Sequence, residues 1–184
     1  MNYVVFDLEA TCWENQPDKK SEIIEIGAVK LNEKLEEVDF FAKFIRPTIN
    51  PILSEFCTKL TSITQREVDQ AASFKEVLQE FEAWIGLFGE RVVLGSWGFY
   101  DKKQLLLECS LKNYSGQISQ RLKDHISIKH QFAEVKRVSP CGMRKALEIL
   151  GLSLEGRHHR GIDDAKNIAK IFRQVFDELS FSDN

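Results

Sequence analysis

The sequence predicts one α/β domain, a mixed central sheet with three antiparallel strands first and parallel strands after, flanked by helices. Three observations predict it. The opening stretch holds three short apolar runs separated by polar turns, and amphipathic helical segments then alternate with further short apolar runs. The 184 residues, 43% hydrophobic and 29% charged, are also enough for one sheet with covering helices around one core. Residues 1–184 are accordingly read as a single domain.

Tyr3 to Leu8 is a β-branched and aromatic run suited to a buried strand in the middle of the sheet. Ile23 to Leu31 and Val38 to Ile45 read as two more strands, with Asn32 to Glu37 as the antiparallel turn between them. Arg46-Pro47 and Asn50-Pro51 mark a loop, because proline removes a donor and restricts the residue before it. Thr64-Gln65-Arg66-Glu67 and Ser73-Phe74-Lys75-Glu76 match the capping box, and the second opens a helix through about Ile85. Phe74, Val77, Leu78, Phe81, Trp84 and Ile85 recur at three and four residues, which makes Trp84 a core residue. Val92 to Leu94 is a fourth strand, Lys103 to Cys109 a helix, and His125 to Ile128 a short fifth strand. Cys141 to Leu150 is a helix closed by Gly151, and Ile162 to Leu179 is the last amphipathic helix.

Composition excludes several classes. No apolar run is long enough for a membrane span. The start, Met1 to Phe6, lacks a basic lead and a cleavage site, so a soluble, unexported protein is expected. Cysteines 12, 57, 109 and 141 form no C-x-x-C pair, which speaks against a zinc ribbon or disulfide framework and for the reducing cytoplasm. A net charge of −3 argues against coating of long duplexes, which needs many lysine and arginine contacts to phosphate. Arg157 to Arg160, Lys102-Lys103 and Lys136-Arg137 remain as local groups able to touch a few phosphates.

The acids carry the chemistry. Asp7 and Glu9 stand two apart at the end of the first strand, so both side chains project from one face, and such a pair resists burial unless a cation or proton compensates. Asp101 follows the fourth strand just where a helix starts, a position that suits a helix N-cap and equally a ligand at a strand end. His158 with Asp163 and His159 with Asp164 have identical spacing. At about 100° per residue, Asp164 shares a helix face with Ile168, Ile171, Phe172 and Val175, and so points inward. Asp163 falls with Lys166, Asn167, Lys170 and Gln174 as a solvated acid of the first turn.

Together these residues resemble the DEDDh 3′→5′ exonucleases, with Asp7-x-Glu9 as first motif, Asp101 in the second and His159-x-Gly161-x-x-Asp164 in the third. The resemblance runs over nearly the whole chain, including Glu25 to Val29, Arg46-Pro47 and Leu60 to Thr64. Phe6 to Trp13, Ser54 to Cys57 and Gly156 to His159 look most like the branch of KapD-like proteins and histone-mRNA 3′-end exonucleases. It implies a stand-alone catalytic domain of ribonuclease H-like fold, using two Mg²⁺ ions for which Mn²⁺ can substitute. It further implies that Asp7, Glu9, Asp101 and Asp164 hold the metal, with Asp7 bridging both ions and His159 as general base. The implied substrate is a single-stranded RNA or DNA 3′ end, cut to nucleoside 5′-monophosphates, with no membrane and no obligatory protein partner.

Phe56 and Tyr100 are candidates for stacking on bases, and the resemblance adds the Ala10-Thr11 backbone and Leu60 around the terminal nucleotide. Glu25 is expected close behind the site. Three alternatives stay open: an exonuclease acting mainly on DNA, a non-catalytic nucleic-acid-binding module, and a zinc hydrolase using His158 and His159, for which no third nitrogen or sulfur ligand stands at suitable spacing.

Overall fold

The computed structural model describes residues 1–16, 18–86 and 91–178. Five strands, β1 (Asn2–Ala10), β2 (Ile23–Leu31), β3 (Glu37–Phe44), β4 (Val92–Ser96) and β5 (Ile126–Ser127), form one sheet in the order β3-β2-β1-β4-β5. β1 pairs antiparallel with β2 and parallel with β4, β2 pairs antiparallel with β3, and β4 pairs parallel with β5. The helices are α1 (Glu55–Thr61), α2 (Gln65–Asp69), α3 (Phe74–Gly86), α4 (Tyr100–Leu111), α5 (Ile118–Arg121), α6 (Ile128–Lys136), α7 (Met143–Ile149) and α8 (Gly161–Val175).

The mixed sheet flanked by helices is as the sequence predicts; α1, α5 and α6 are helices the sequence reading does not assign, and the other differences lie at element ends. The fifth strand is only two residues, because Ile128 is the first residue of α6 and not part of the strand. α4 begins three residues earlier than the apolar spacing suggests, and α7 begins at Met143. α8 stops at Val175 and is followed by a 3₁₀ turn to Glu178, while Leu179 lies outside the described residues. Both capping boxes form at the expected places, Thr64 with Glu67 and Ser73 with Glu76. Trp84 is a boundary residue: its ring stacks on Phe81 at 5.9 Å, while its Nε1 donates to Asp39 Oδ2 at 2.7 Å.

β1 is buried on both faces, as a central strand must be. Val4, Phe6 and Leu8 pack with Phe74, Leu78, Phe81 and Leu105 of α3 and α4. Tyr3 and Val5 pack on the other side with Phe132, Leu147, Ile168, Ile171 and Phe172 of α6, α7 and α8. Each fully buried side chain of this size contributes roughly 1.5–3 kcal/mol against exposure. Asp7 and Glu9 continue the row of Tyr3 and Val5, so the pleat aims them at the α8 layer.

Two contacts fix the elements around that point. The first is between α8 and β2, where a Cβ on Gly27 would lie 2.0 Å from the carbonyl carbon of Gly161. Only glycine permits this approach, and Glu25, two residues before it, accepts the Gly161 N–H at 2.9 Å. Arg160, the residue before α8, supplies no side-chain cap, so the Glu25 carboxylate meets the helix's amides and its positive dipole end. The second is the buried Glu22 carboxylate, which accepts the N–H groups of Thr48, Ile49 and Asn50 at 2.7–2.8 Å and pairs with Lys112 at 2.9 Å. This folds the proline loop onto β2 and leads the chain to Ser54, whose hydroxyl caps α1 and donates to the Cys12 carbonyl at 2.6 Å. α1 is thereby tied to the end of β1. Among the described residues, no helix is long and apolar enough to cross a membrane.

Candidate active site

Asp7 and Glu9 at the end of β1 meet Asp164 in the first turn of α8, and one ligand oxygen from each lies within 4.8 Å of the others. Helical phase places Asp164 inward as expected, at 4% exposure. Asp163 instead turns back to accept the Arg157 N–H at 2.8 Å and is partly buried. Its neighbour Asn167 is not solvated either. It is 1% exposed and joins Glu155 to the helix through both its side-chain oxygen and its amide, contacts too distant in sequence for a helical wheel to register.

Asp101 lies inside the first turn of α4 and not at its cap, which is Phe99 with no side-chain bond. It is 6% exposed, and its Oδ1 accepts the Leu8 N–H at 3.3 Å, so the β4–α4 junction carries it across to the end of β1. The capping alternative is thus replaced by a carboxylate aimed at the site.

Glu9 opposes Glu25 in the β1–β2 register, and both are buried. Burial and the neighbouring acids raise three carboxyls of this group. Glu9 is pushed up to about 8 by burial, then by Asp164, Glu25 and Asp101. Asp7 is raised well above its ordinary value by burial, then by Asp101 and Glu9. Asp101 is held up to about 6 by burial, against the opposing hydrogen bonds of Ser96 and Leu8. The guanidinium of Arg160 is committed to Glu25 at 3.3 Å.

The equal spacing of the two histidine-aspartate pairs does not describe the contacts. Asp164 gathers both histidines: His158 Nδ1 stands 2.9 Å from Oδ2, and the His159 N–H donates to the same oxygen at 3.0 Å. The two rings stack at 3.9 Å and 22°. His159 adopts a left-handed backbone, φ 65°, which costs a non-glycine residue energy and marks a constrained turn. Burial, then the neighbouring His158, lowers its ring pKa, which favours the neutral, proton-accepting form.

These groups line a cleft of about 420 Å³, a size that suits a small ligand. Ala10, Leu60 and Tyr100 are among the residues that line it, with Tyr100 58% exposed. Two predicted residues are not on its wall. Thr11 is buried and spends its hydroxyl on the Glu22 N–H, and Phe56 is exposed elsewhere on α1. Sequence reasoning missed Cys12, Trp97, Gly142, Met143 and Ile168 as wall residues. Met143 and Trp97 arrive through tertiary contacts, Trp97 donating to the Cys141 carbonyl at 3.1 Å, and no local pattern announces them. Of the basic groups, Lys136 is paired with Glu178 at 2.6 Å.

The acid set fits a divalent cation: Asp7 and Glu9 of β1 and Asp164 of α8 offer hard oxygen ligands next to Asp101, and burial with mutual repulsion raises Asp7, Glu9 and Asp101 above their ordinary range. A second candidate ligand set, His158, His159 and Asp164, shares Asp164 with the first. Stacked rings lying nearly parallel do not converge their in-plane lone pairs on one ion, so the oxygen set is the better centre.

An exonuclease family model matches residues 4–172. The chain is 38% identical over 178 residues to human 3′-5′ exoribonuclease 1, covering 91% of this chain and 50% of that protein, so it spans about half the length of that relative. It is 31% identical to the 3′-5′ exonuclease Snipper of Drosophila melanogaster, covering 98% and 72% of the two chains. Among solved structures, it matches the nuclease domain of 3′hExo, a DEDDh family member bound to rAMP, with TM-score 0.90, 34% identity and coverage of 100% and 96%. Exonuclease I, at TM-score 0.74 and 8% identity, shares the fold alone. With carboxylates brought to one cleft in this fold and the family model spanning nearly all of it, the chain belongs to the RNase T exonuclease family, in its DEDDh group.

Proposed function

We propose that this protein is a metal-dependent 3′→5′ exonuclease that trims single-stranded RNA in preference to DNA and releases nucleoside 5′-monophosphates. The observation that carries the reading is the meeting of Asp7, Glu9 and Asp164 within 4.8 Å in a cleft, with Asp101 buried beside them. Asp7, Glu9, Asp101 and Asp164 hold two Mg²⁺ ions, and Mn²⁺ substitutes. When bound, the metal pair neutralises phosphate charge and stabilises both the attacking and the departing oxygen.

The chain's own residues do the rest. His159 accepts the proton of the attacking water, which its lowered pKa suits, and its strained turn fixes the ring beside Asp164. His158 supports that ring by stacking and by its contact with Asp164. Ala10, Leu60, Trp97, Tyr100 and Met143 give apolar walls against which a terminal base and ribose fit and from which water is excluded. The leaving group is the 3′ oxygen of the penultimate nucleotide. Four free cysteines are in keeping with work in the cytoplasm.

RNA is favoured because curated relatives are named exoribonucleases, one solved neighbour holds rAMP and another is described as recognising a histone mRNA stem-loop. Matched 5′-labelled RNA and DNA oligonucleotides test this directly. Faster trimming of RNA is expected, and faster trimming of DNA overturns the preference.

A further inference from the structure

One buried amide takes no part in the chemistry above. Asn167, one helical turn beyond Asp163 in α8, is 1% exposed. Its Oδ1 accepts the Glu155 N–H at 3.0 Å, and its Nδ2 donates to the Glu155 carbonyl at 2.7 Å and to the Asp163 carbonyl at 2.8 Å. Both amide hydrogens are spent on carbonyl oxygens and the side-chain oxygen on an N–H, so the amide has one orientation; turned over, it would set its oxygen against two carbonyls. Asn167 therefore grips the backbone of Glu155 by both polar groups and leaves its exposed side chain alone.

The strained histidine turn lies just beyond this grip. Glu155 is four residues before His159, whose left-handed backbone at φ 65° is costly for a residue with a Cβ. Such a conformation persists only where its surroundings overdetermine it, and here the chain is anchored on both sides. After His159, the Gly161 N–H donates to Glu25 at 2.9 Å and Arg160 pairs with the same carboxylate at 3.3 Å. Before it, Asn167 grips Glu155, and Asp163 accepts the Arg157 N–H at 2.8 Å. Lys170 adds bonds to the Ser153 carbonyl and the Glu155 carboxylate, but at the surface, where such contacts contribute little. Loss of the Asn167 grip frees His159 to relax to an ordinary backbone, which turns its ring off His158 and takes its N–H from Asp164.

We propose that Asn167 is a positioning residue: by clasping the Glu155 backbone to α8 it holds the strained turn at His159, and so keeps that ring where it can take a proton from the attacking water. It does not touch substrate and transfers no proton. The inference rests on the reading of His159 as general base.

The test uses the intact protein, one 5′-labelled single-stranded RNA and the variants Asn167→Ala, Asn167→Ser and Val77→Ala. Asn167→Ala loses all three bonds. Asn167→Ser is too short to reach Glu155, while its hydroxyl can still bond the Asp163 carbonyl four residues back in the helix, so the clasp alone is lost. In both, kcat should fall roughly 10–100-fold, as it does when a catalytic group is misplaced by about 1 Å, while KM and the Mn²⁺ affinity read by calorimetry stay within a few-fold. Proton spectra of the metal-free variants should show that the His158 and His159 rings no longer shield each other, because their 3.9 Å stack has opened. Val77→Ala removes core packing on the side of the sheet away from α8, and should lower the unfolding midpoint yet keep kcat. Wild-type kcat in folded Asn167→Ser, a lost kcat with the ring stack intact, or a Mn²⁺ affinity that falls in step with kcat overturns the positioning role, and so does an equal loss of kcat in Val77→Ala. Should Asn167→Ala fail to fold, Asn167→Ser decides alone. His159→Ala separates the two layers: if it turns over like wild type, the general-base reading fails, while the ring stack in Asn167→Ser still reports whether the clasp holds the turn.

Discussion

Gly27→Ala should damage the active site from behind, without touching any of its acids. The added Cβ would sit 2.0 Å from the Gly161 carbonyl carbon, 2.1 Å from the Ile162 nitrogen and 2.3 Å from the Gly161 oxygen. Ordinary contact begins at 3.4 Å, so the start of α8 must withdraw by about 1.4 Å, and these atoms are backbone with no rotamer to yield. Withdrawal stretches the 2.9 Å bond from Gly161 to Glu25 and moves Asp164 away from Asp7 and Glu9. Overpacking costs about 1–3 kcal/mol, and a lost hydrogen bond to a charged group about 1.5–3 kcal/mol. The unfolding midpoint should fall by on the order of 10 °C for a domain of this size. A displacement of about 1 Å in a catalytic group also costs roughly 100-fold in rate. Thermal unfolding and Mg²⁺-dependent release of mononucleotides measure the two effects. Gly86→Ala is the control: a Cβ there meets nothing within 4 Å among the described residues, and alanine in a helix should raise stability by up to about 1 kcal/mol. A Gly27→Ala protein with the midpoint and turnover of wild type would refute the close-contact argument.

Stability without metal should depend on pH in a particular direction. Glu9 and Asp101 hold protons up to about 8 and about 6 in the folded state, against 4.5 and 3.8 ordinarily, so the unfolded chain releases them first. Stability is therefore greatest on the acid side of this window and declines as pH rises from about 4.5 toward 8. Saturating Mg²⁺ should restore more at pH 8 than at pH 5.5, and a metal-free midpoint that rises across this range would count against the acid cluster. His159→Ala and Asp164→Asn should each lower turnover by at least about 100-fold. Asp163→Asn should stay within a few-fold, since Asp163 only holds the Arg157 N–H, and His158→Ala should cost less than His159→Ala. Lys112→Met leaves Glu22 and Glu108 buried without their cation, at about 3–5 kcal/mol. Hydrogen exchange should then quicken at Thr48, Ile49 and Asn50, and unchanged protection would contradict the role given to Glu22.

What could be read from sequence divides along physical lines. β1, β2 and α3 declare themselves because an apolar period of two or about 3.6 is local. Asp7 with Glu9, and Asp164 against Asp163, were legible for the same reason, since pleat and helical phase fix which way neighbouring side chains face. α6 was hidden because Ile128 continues the apolar run of β5 into a helix without a turn residue between them. Asp101 looked like a cap because its real partner, the Leu8 N–H, is 93 residues away. The histidines were read as separate pairs because spacing cannot show that a left-handed residue at His159 folds both onto Asp164. Met143 and Trp97 come to the cleft only through packing of distant elements, and the Thr11 side chain turns away from it to accept the Glu22 N–H.

The claim that these acids make a metal-dependent 3′-end nuclease is tested most directly with one 5′-labelled single-stranded RNA. Wild type in Mg²⁺ should shorten it stepwise from the 3′ end and release nucleoside 5′-monophosphates. EDTA should stop the reaction, and Asp164→Asn, folded as judged by its unfolding transition, should not carry it out. Internal cuts, cleavage that persists in EDTA, or full activity of Asp164→Asn would contradict the account.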